Sequence, residues 1–175
     1  MHPAQRDNAG TVEDVSWQEI ARLNARELRP LSRFADISPP GSLTDLELAG
    51  PLQSDLADRL LEQLIRTLGM RTRTPSQCTF LWNDGVSPRL PAGTGIGVRL
   101  REGSYTMLTG QACADADKFG VSPTMWWPDD QAWMVISQVD MDSSFVGCDH
   151  ATILELLGNP DIEAWEVTRA DPLLF

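Results

Sequence analysis

Apolar residues in the first half of the chain recur at helical spacing. Leucines occupy every fourth position from Leu52 to Leu68, which places them on one face of a helix. Pro51 suits the first turn of that helix, and Gly69 suits the position just after its end. We therefore predict a helix over residues 52–68 whose leucines belong to the core.

A second helix is predicted near the N-terminus. Ser16 and Glu19 have the spacing of a capping box, so a helix should begin there and run to about Leu28, before Pro30. Residues 1–15 are polar and show no periodicity. We expect residues 1–15 to form a disordered tail and residues 16–175 to form a single domain.

From residue 74 onward the pattern changes to the alternation typical of strands. We predict strands at residues 78–82, 96–100, 104–109, 132–139, 144–147 and 162–168. A short helix capped by Cys148 or Asp149 should end at Gly158, and another is expected around residues 112–118. Helices followed by meandering strands indicate an α+β fold, with a mostly antiparallel sheet of about five to six strands packed against two or three helices.

The composition limits the classes of protein that fit. The 175 residues contain no run of about 18 apolar residues and begin with a polar segment, so we expect neither a membrane span nor a secretory signal. Three cysteines without C-x-x-C spacing and two histidines argue against a disulfide framework and against the common zinc sites. We expect a cytoplasmic protein without metal or cofactor.

Charge is distributed unevenly along the chain. The net charge of −11 divides into −1 for residues 1–110 (12 basic and 13 acidic residues) and −10 for residues 111–175 (2 basic and 12 acidic residues). Nucleic-acid binding needs clustered cations and is not expected. The acidic part either forms a solvated face, meets a basic partner, or is neutralised by the first half when the chain folds. The arginine-rich stretch at residues 66–101 leaves a small phosphate ligand as a further option.

One segment carries a resemblance to a family. The residues Ser122–Trp133 read SPTMWWPDDQAW, and Val139–Gly147 read VDMDSSFVG. Together they resemble an uncharacterised family of small proteins from high-GC bacteria that share an SPxxWWPxDRAW…DxDxx[YF]VG block. The segment at residues 74–85 is similar to that family's upstream element, and Gln131 stands where the family has Arg. The resemblance implies a fold neighbourhood and brings no assigned activity.

Aromatic and basic residues suggest one candidate binding surface. Trp82, Trp126, Trp127 and Tyr105 could line a slot in which Arg99 or Arg101 holds an anionic ligand. The alternative is that these indoles belong to the core. Because Trp126 and Trp127 are adjacent, they should face opposite sides of an extended chain, which leaves one of them nearer the surface.

Four aspartates suggest a second candidate surface. Asp129 and Asp130 follow the double tryptophan, and Asp140 and Asp142 share a side in extended chain. Such carboxylates could contact a basic partner or a hard cation, but aspartate is also favoured in turns, where it binds its own backbone. We favour turn chemistry over a metal.

No constellation of catalytic residues is evident. His150 is the one plausible base, and Cys148 is too near in sequence to point at it, so a Cys–His dyad would need Cys78 or Cys113 to be brought in by folding. The hypothesis we favour is therefore a non-catalytic, acidic protein-binding domain, for example an immunity-like or antitoxin-like inhibitor of a basic partner. Two alternatives stay open. One is an enzyme or small-ligand binder with the Trp-lined slot. The other is a structural subunit that pairs through a sheet edge or the apolar end Leu173–Phe175.

Overall fold

A six-stranded antiparallel sheet organises the fold, in agreement with the predicted α+β class. The computed structural model describes residues 4–6, 12–42, 48–49, 56, 58–85, 95–112, 121–137, 141–168 and 170–171. The strand order is β5-β6-β4-β7-β8-β9. These strands are β4 (Cys78–Asn83), β5 (Ile96–Leu100), β6 (Gly103–Gly110), β7 (Met125–Pro128), β8 (Trp133–Ile136) and β9 (Phe145–Cys148).

Four helices accompany the sheet in the described part of the chain. They are α1 (Trp17–Leu23), α2 (Phe34–Ile37), α3 (Asp58–Gly69) and α4 (His150–Gly158). The Ser16 hydroxyl accepts the Glu19 N–H at 3.1 Å, as the capping pattern predicts. The helix ends at Leu23, earlier than the predicted Leu28, because Asn24 caps it and Ala25 adopts a left-handed φ of 50°.

The leucines of α3 pack on one face of the sheet, as their spacing predicts. Leu60, Leu64 and Leu68 are buried against Phe80 and the indoles of the central strands. Leu56 is also buried in this cluster, but it precedes the helix, which begins at Asp58 and not at residue 52 as predicted. Leu52 lies outside the described residues. This face holds the larger core cluster of the molecule.

The opposite face of the sheet carries a second apolar cluster. Leu81, Tyr105 and Met125 are buried there, and Met107 and Trp127 are half-buried beside them. The ladder registers pair Leu81 with Met125 and with Met107, which puts these side chains on one side.

The α1–α2 pair forms a third, smaller cluster that is fastened to the sheet domain by carboxylates. Trp17 packs edge-on against Phe34 at 6.0 Å between ring centroids. The Glu163 carboxylate accepts the Trp17 and Gln18 N–H groups at 2.8 and 2.9 Å. The Asp142 carboxylate accepts the Phe34 N–H at 3.0 Å. Both helices thus begin on an acid from the C-terminal half, which suits the positive end of a helix.

Two elements after residue 74 differ from the sequence predictions. Residues 162–168 form no strand; Glu163 is instead bonded to α1, and Ile162 and Ala164 pack into the core cluster. The strand β7 was not predicted, because its residues MWWP lack alternation. The helix expected around residues 112–118 lies largely outside the described residues.

Two short strands also lie within residues 1–15, which we expected to be a disordered tail. The strands β1 (Ala4–Arg6) and β2 (Val12–Asp14) pair with each other, and β1 pairs with β3 (Leu48–Ala49), in a small antiparallel sheet. Among the described helices, none has both the length and the apolar character that a membrane crossing requires.

Candidate functional site

The double tryptophan is divided between the two faces of the sheet, as adjacent positions in a strand require. Trp126 is fully buried; it stacks on Phe80 at 6.2 Å and meets Trp133 edge-on at 4.9 Å between ring centroids. Trp127 points to the other face, where it is half-buried. Trp126 is therefore a core residue, and Trp127 is the one nearer the surface.

The four aromatic residues of the predicted slot do not share a surface. Trp82 is fully buried beside Phe80 on the face of Trp126, and its indole N–H donates to the Val121 carbonyl at 3.2 Å. Tyr105 is 2% exposed and lies on the opposite face with Trp127. The sheet itself separates the two pairs.

The two arginines of the predicted slot are exposed at the end of the β5–β6 hairpin. A guanidinium N–H of Arg99 donates to the Ser104 hydroxyl at 3.2 Å, and Arg101 lies in the turn that follows β5. Arg99 pairs with Ser104, which lies on the same side of β6 as Thr106, the partner of Trp82. Arg99 therefore lies on the Trp82 face of the sheet, opposite Tyr105.

Asp130 binds the backbone around it rather than presenting a free carboxylate. It accepts the Arg73 N–H at 2.8 Å, the Thr72 hydroxyl at 2.7 Å and the Ala132 N–H at 3.3 Å. These hydrogen bonds, the one from the Arg73 backbone first, lower the pKa of Asp130. Asp130 thereby ties the segment before β4 to the turn between β7 and β8.

The other candidate aspartates have different environments. Asp129 is exposed, and no hydrogen bond or ion pair to its side chain is found in the described ranges. Asp142 is half-buried and bonded to the start of α2. Asp140 lies outside the described residues. The three candidate aspartates that the structure describes therefore have three different environments.

Arginines of the first half neutralise part of the acidic second half. Arg59 pairs with Asp161, and Arg71 pairs with Glu155. Arg73 lies 3.8 Å from Asp130. These three pairs join residues 59–73 to residues 130–161, which agrees with neutralisation between the two halves. They lie at the surface, so each adds little to stability.

The described residues line a groove on the side of the sheet that carries α3. It encloses about 220 Å³ between the α1–α2 pair, α3, β9, α4 and the segment that follows α4. Its apolar wall includes Leu60, Leu156 and Ile162. The full lining comprises Trp17, residues 29–33, Leu56, Leu60, Leu64, residues 141–146, Cys148, Ile153, Leu156, Leu157 and residues 162–167.

The polar groups of the groove differ in how far they are satisfied. Asp142 and Glu163 already accept backbone N–H groups of α2 and α1. The Trp17 indole N–H is buried and has no hydrogen-bond partner among the described residues. Arg29 pairs with Glu27, whereas the Arg33 guanidinium forms no ion pair with a described residue. The loop before α2 therefore offers the Arg33 guanidinium to an incoming group.

The groove has no activated nucleophile among its described residues. Cys148 lines it, but burial and the neighbouring Asp149 raise the pKa of this thiol, so the protonated form dominates near neutral pH. The Asp149 carboxylate caps α4 by accepting the Thr152 N–H at 2.8 Å. His150 is an exposed residue in the first turn of the helix. No group of three or more metal-ligating side chains occurs within the described ranges.

Sequence reasoning missed the groove. Trp17, Leu157 and Trp165 line it, and Leu157 and Trp165 keep 40% and 38% of their surface exposed. The available signal was an apolar residue, Leu157, on the exposed side of a short helix and a tryptophan, Trp165, in a segment whose pattern predicts a strand. Comparisons with protein-family models, with curated proteins and with solved structures find no match.

Proposed function

We propose that this chain is a non-catalytic protein-binding domain and that the groove is its binding surface. The supporting observation is the pair of large apolar side chains at the groove, Leu157 and Trp165, which stay substantially exposed beside a buried apolar wall. Exposed apolar surface next to a concavity is typical of interaction sites. Tryptophan is also among the residues that most often dominate binding energy.

The chemistry of the groove suggests the kind of partner. Apolar side chains of the partner would bury Leu157 and Trp165, and an oxygen acceptor would pair with the Arg33 guanidinium in the wall of the groove. A basic partner fits the net charge of −11, because long-range attraction speeds association. The exposed carboxylates of Asp129 and Glu166 are available to such a partner. An immunity-like or antitoxin-like inhibitor of a basic protein is the concrete form of the proposal.

The test first captures a partner and then compares the effect of two leucines of α4 on its binding. A photoreactive residue at position 165 is used to capture a partner from the native host lysate, with the same residue at position 154 as control. The captured protein is then purified and titrated against Leu157→Ser and Leu154→Ser. Both leucines are exposed, by 40% and 57%, but only Leu157 lines the groove.

We expect Leu157→Ser to weaken binding about tenfold or more, the effect of losing more than 1.4 kcal/mol at a central contact. Leu154→Ser should leave the affinity unchanged, and added salt should slow association with a basic partner. Equal effects of the two substitutions, or equal capture from positions 165 and 154, would show that the groove is not the binding surface.

A small amphipathic anion is a second candidate for the same groove. It is favoured by Arg33, whose guanidinium could hold a carboxylate while an alkyl chain follows the apolar wall. Decanoate should then raise the thermal unfolding midpoint of the wild type and have a smaller effect on Arg33→Ala, whereas decanol should raise it less. If decanoate leaves the midpoint unchanged, this candidate is excluded.

A further inference from the structure

The strand β5 forms an edge of the six-stranded sheet and is open to solvent. It pairs with β6 on one side, and no other described strand pairs with it. Ile96 is 64% exposed, the most exposed large apolar residue of the described sheet, and Gly97 and Arg99 are also exposed. An open edge strand presents unpaired backbone donors and acceptors to any chain that can pair with it.

The register with β6 assigns the side chains of β5 to the two faces. Val98 pairs with Tyr105, so Ile96, Val98 and Leu100 lie on the face that carries the Tyr105 cluster. Gly97 and Arg99 lie on the opposite face. One face of this edge strand therefore carries only apolar side chains, and the other face carries Gly97 and Arg99.

We propose that β5 pairs antiparallel with β5 of a second copy of this chain, around a twofold axis through Val98. In that register Ile96 faces Leu100 of the other copy and Val98 faces its counterpart, so the apolar side of the edge is continued. On the other side, Arg99 faces Gly97 of the other copy. A Cβ atom added at Gly97 would meet nothing within 4 Å in the single chain, so the space above this glycine is free to receive the Arg99 stem.

Neighbouring registers fit less well. An axis through Arg99 would place two guanidinium groups directly opposite each other, which is unfavourable. An axis through Gly97 would pair Arg99 with Gly95, whose φ of +80° lies outside the strand region. The Val98 register is the one that uses all five residues of β5.

The size and charge of this contact predict its behaviour. Five residues per copy give a small interface, well below the roughly 1,000 Å² of stable complexes, so the dimer should form only at high concentration. Each copy carries a net charge of −11, and two Arg99 side chains lie diagonally across the axis. Because salt screens both repulsions, added salt should strengthen the dimer, the opposite of its effect on a basic partner.

Disulfide trapping tests the register. Val98→Cys places two thiols directly opposite each other and should give a disulfide-linked dimer, in which mass spectrometry identifies a cross-link between the two introduced cysteines. Ile96→Cys is the matched control. It is more exposed, but in this register the two copies of residue 96 are about 13 Å apart along the strands, beyond the reach of a disulfide. Linkage through position 96 at an equal or faster rate would overturn the proposal.

Analytical ultracentrifugation tests the dimer in the absence of cross-linking. The wild type should show a concentration-dependent dimer, and Ile96→Lys should remove it while the thermal unfolding midpoint stays the same, because Ile96 is exposed in the single chain. A wild type that stays monomeric up to millimolar concentration, or a dimer unaffected by Ile96→Lys, would overturn the proposal. Neither result bears on the groove, whose lining does not include β5.

Discussion

Three indoles of the main core differ in how their N–H groups are satisfied. The Trp82 indole donates to the Val121 carbonyl, and the Trp133 indole donates to the Leu68 carbonyl at 2.7 Å. The Trp126 indole N–H is buried and has no hydrogen-bond partner in the described part of the chain. Trp126 and Trp133 touch each other and are equally buried, so they form a matched pair in which packing is similar and hydrogen bonding differs.

This difference predicts unequal costs of substitution. Trp133→Phe removes a hydrogen bond to the Leu68 carbonyl, which keeps the Arg71 N–H as its other donor. It should therefore lower the free energy of unfolding by about 0.5–1.5 kcal/mol more than Trp126→Phe, which removes an unsatisfied donor. Urea unfolding of both variants, followed by circular dichroism, measures the difference. A Trp126→Phe variant as unstable as Trp133→Phe would show that packing alone governs both positions.

At the same scale, alternation predicted that Trp126 and Trp127 face opposite sides, and this is confirmed. Which of the two enters the main core could not be predicted, because it depends on the register Phe80–Trp126 and on the face that receives α3. The register and the packing of α3 both depend on contacts between segments that are far apart in sequence.

Elements with a strong local signal were predicted best. Periodicity and turn residues predicted the apolar face of α3 and the strands β4 to β6. They also placed the cap of α4 at Cys148 or Asp149, and Asp149 is the residue that caps it. Residues 162–168 have the composition of a strand, but the bonds from Glu163 to α1 hold this segment outside the sheet. A tertiary contact of this kind leaves no local pattern.

The turn between β7 and β8 makes a prediction about pH. Because hydrogen bonds lower the pKa of Asp130 in the folded state, its contribution to stability is fully present above the ordinary aspartate pKa of about 4 and is lost as the pH falls through the lowered value. Asp130→Asn should therefore lower the thermal unfolding midpoint at neutral pH, and the difference from wild type should shrink in acid.

Asp129→Asn is the matched control for this prediction. Asp129 is adjacent and exposed, and none of the hydrogen bonds of the turn reaches its side chain, so its replacement should leave the midpoint unchanged across the same pH range. If the difference between Asp130→Asn and wild type does not change with pH, the carboxylate charge is not what stabilises the turn.

For the whole molecule, the acidic second half has a structural role that its charge alone did not reveal. Its carboxylates bind the arginines Arg59 and Arg71 and the N-termini of α1 and α2. Composition predicted the excess of negative charge and left three roles open for it, of which neutralisation between the two halves is one. The groove was beyond sequence reasoning because its walls come from parts of the chain that are more than a hundred residues apart, such as Trp17 and Trp165.

Glu163 joins the α1–α2 pair to the rest of the molecule and gives the prediction at this scale. Its two carboxylate oxygens accept the first N–H groups of α1, a charge-assisted arrangement at the positive end of a helix. Glu163→Ala should let the α1–α2 pair open separately, so that hydrogen exchange at residues 17–24 speeds up by roughly tenfold to a hundredfold. Exchange at the β4 residues 78–83 should stay slow.

Glu166→Ala, three residues further along an exposed stretch, should change neither region. If β4 exchanges faster together with α1 in Glu163→Ala, the pair and the sheet unfold as one cooperative unit, and the carboxylate stabilises the entire domain rather than this junction.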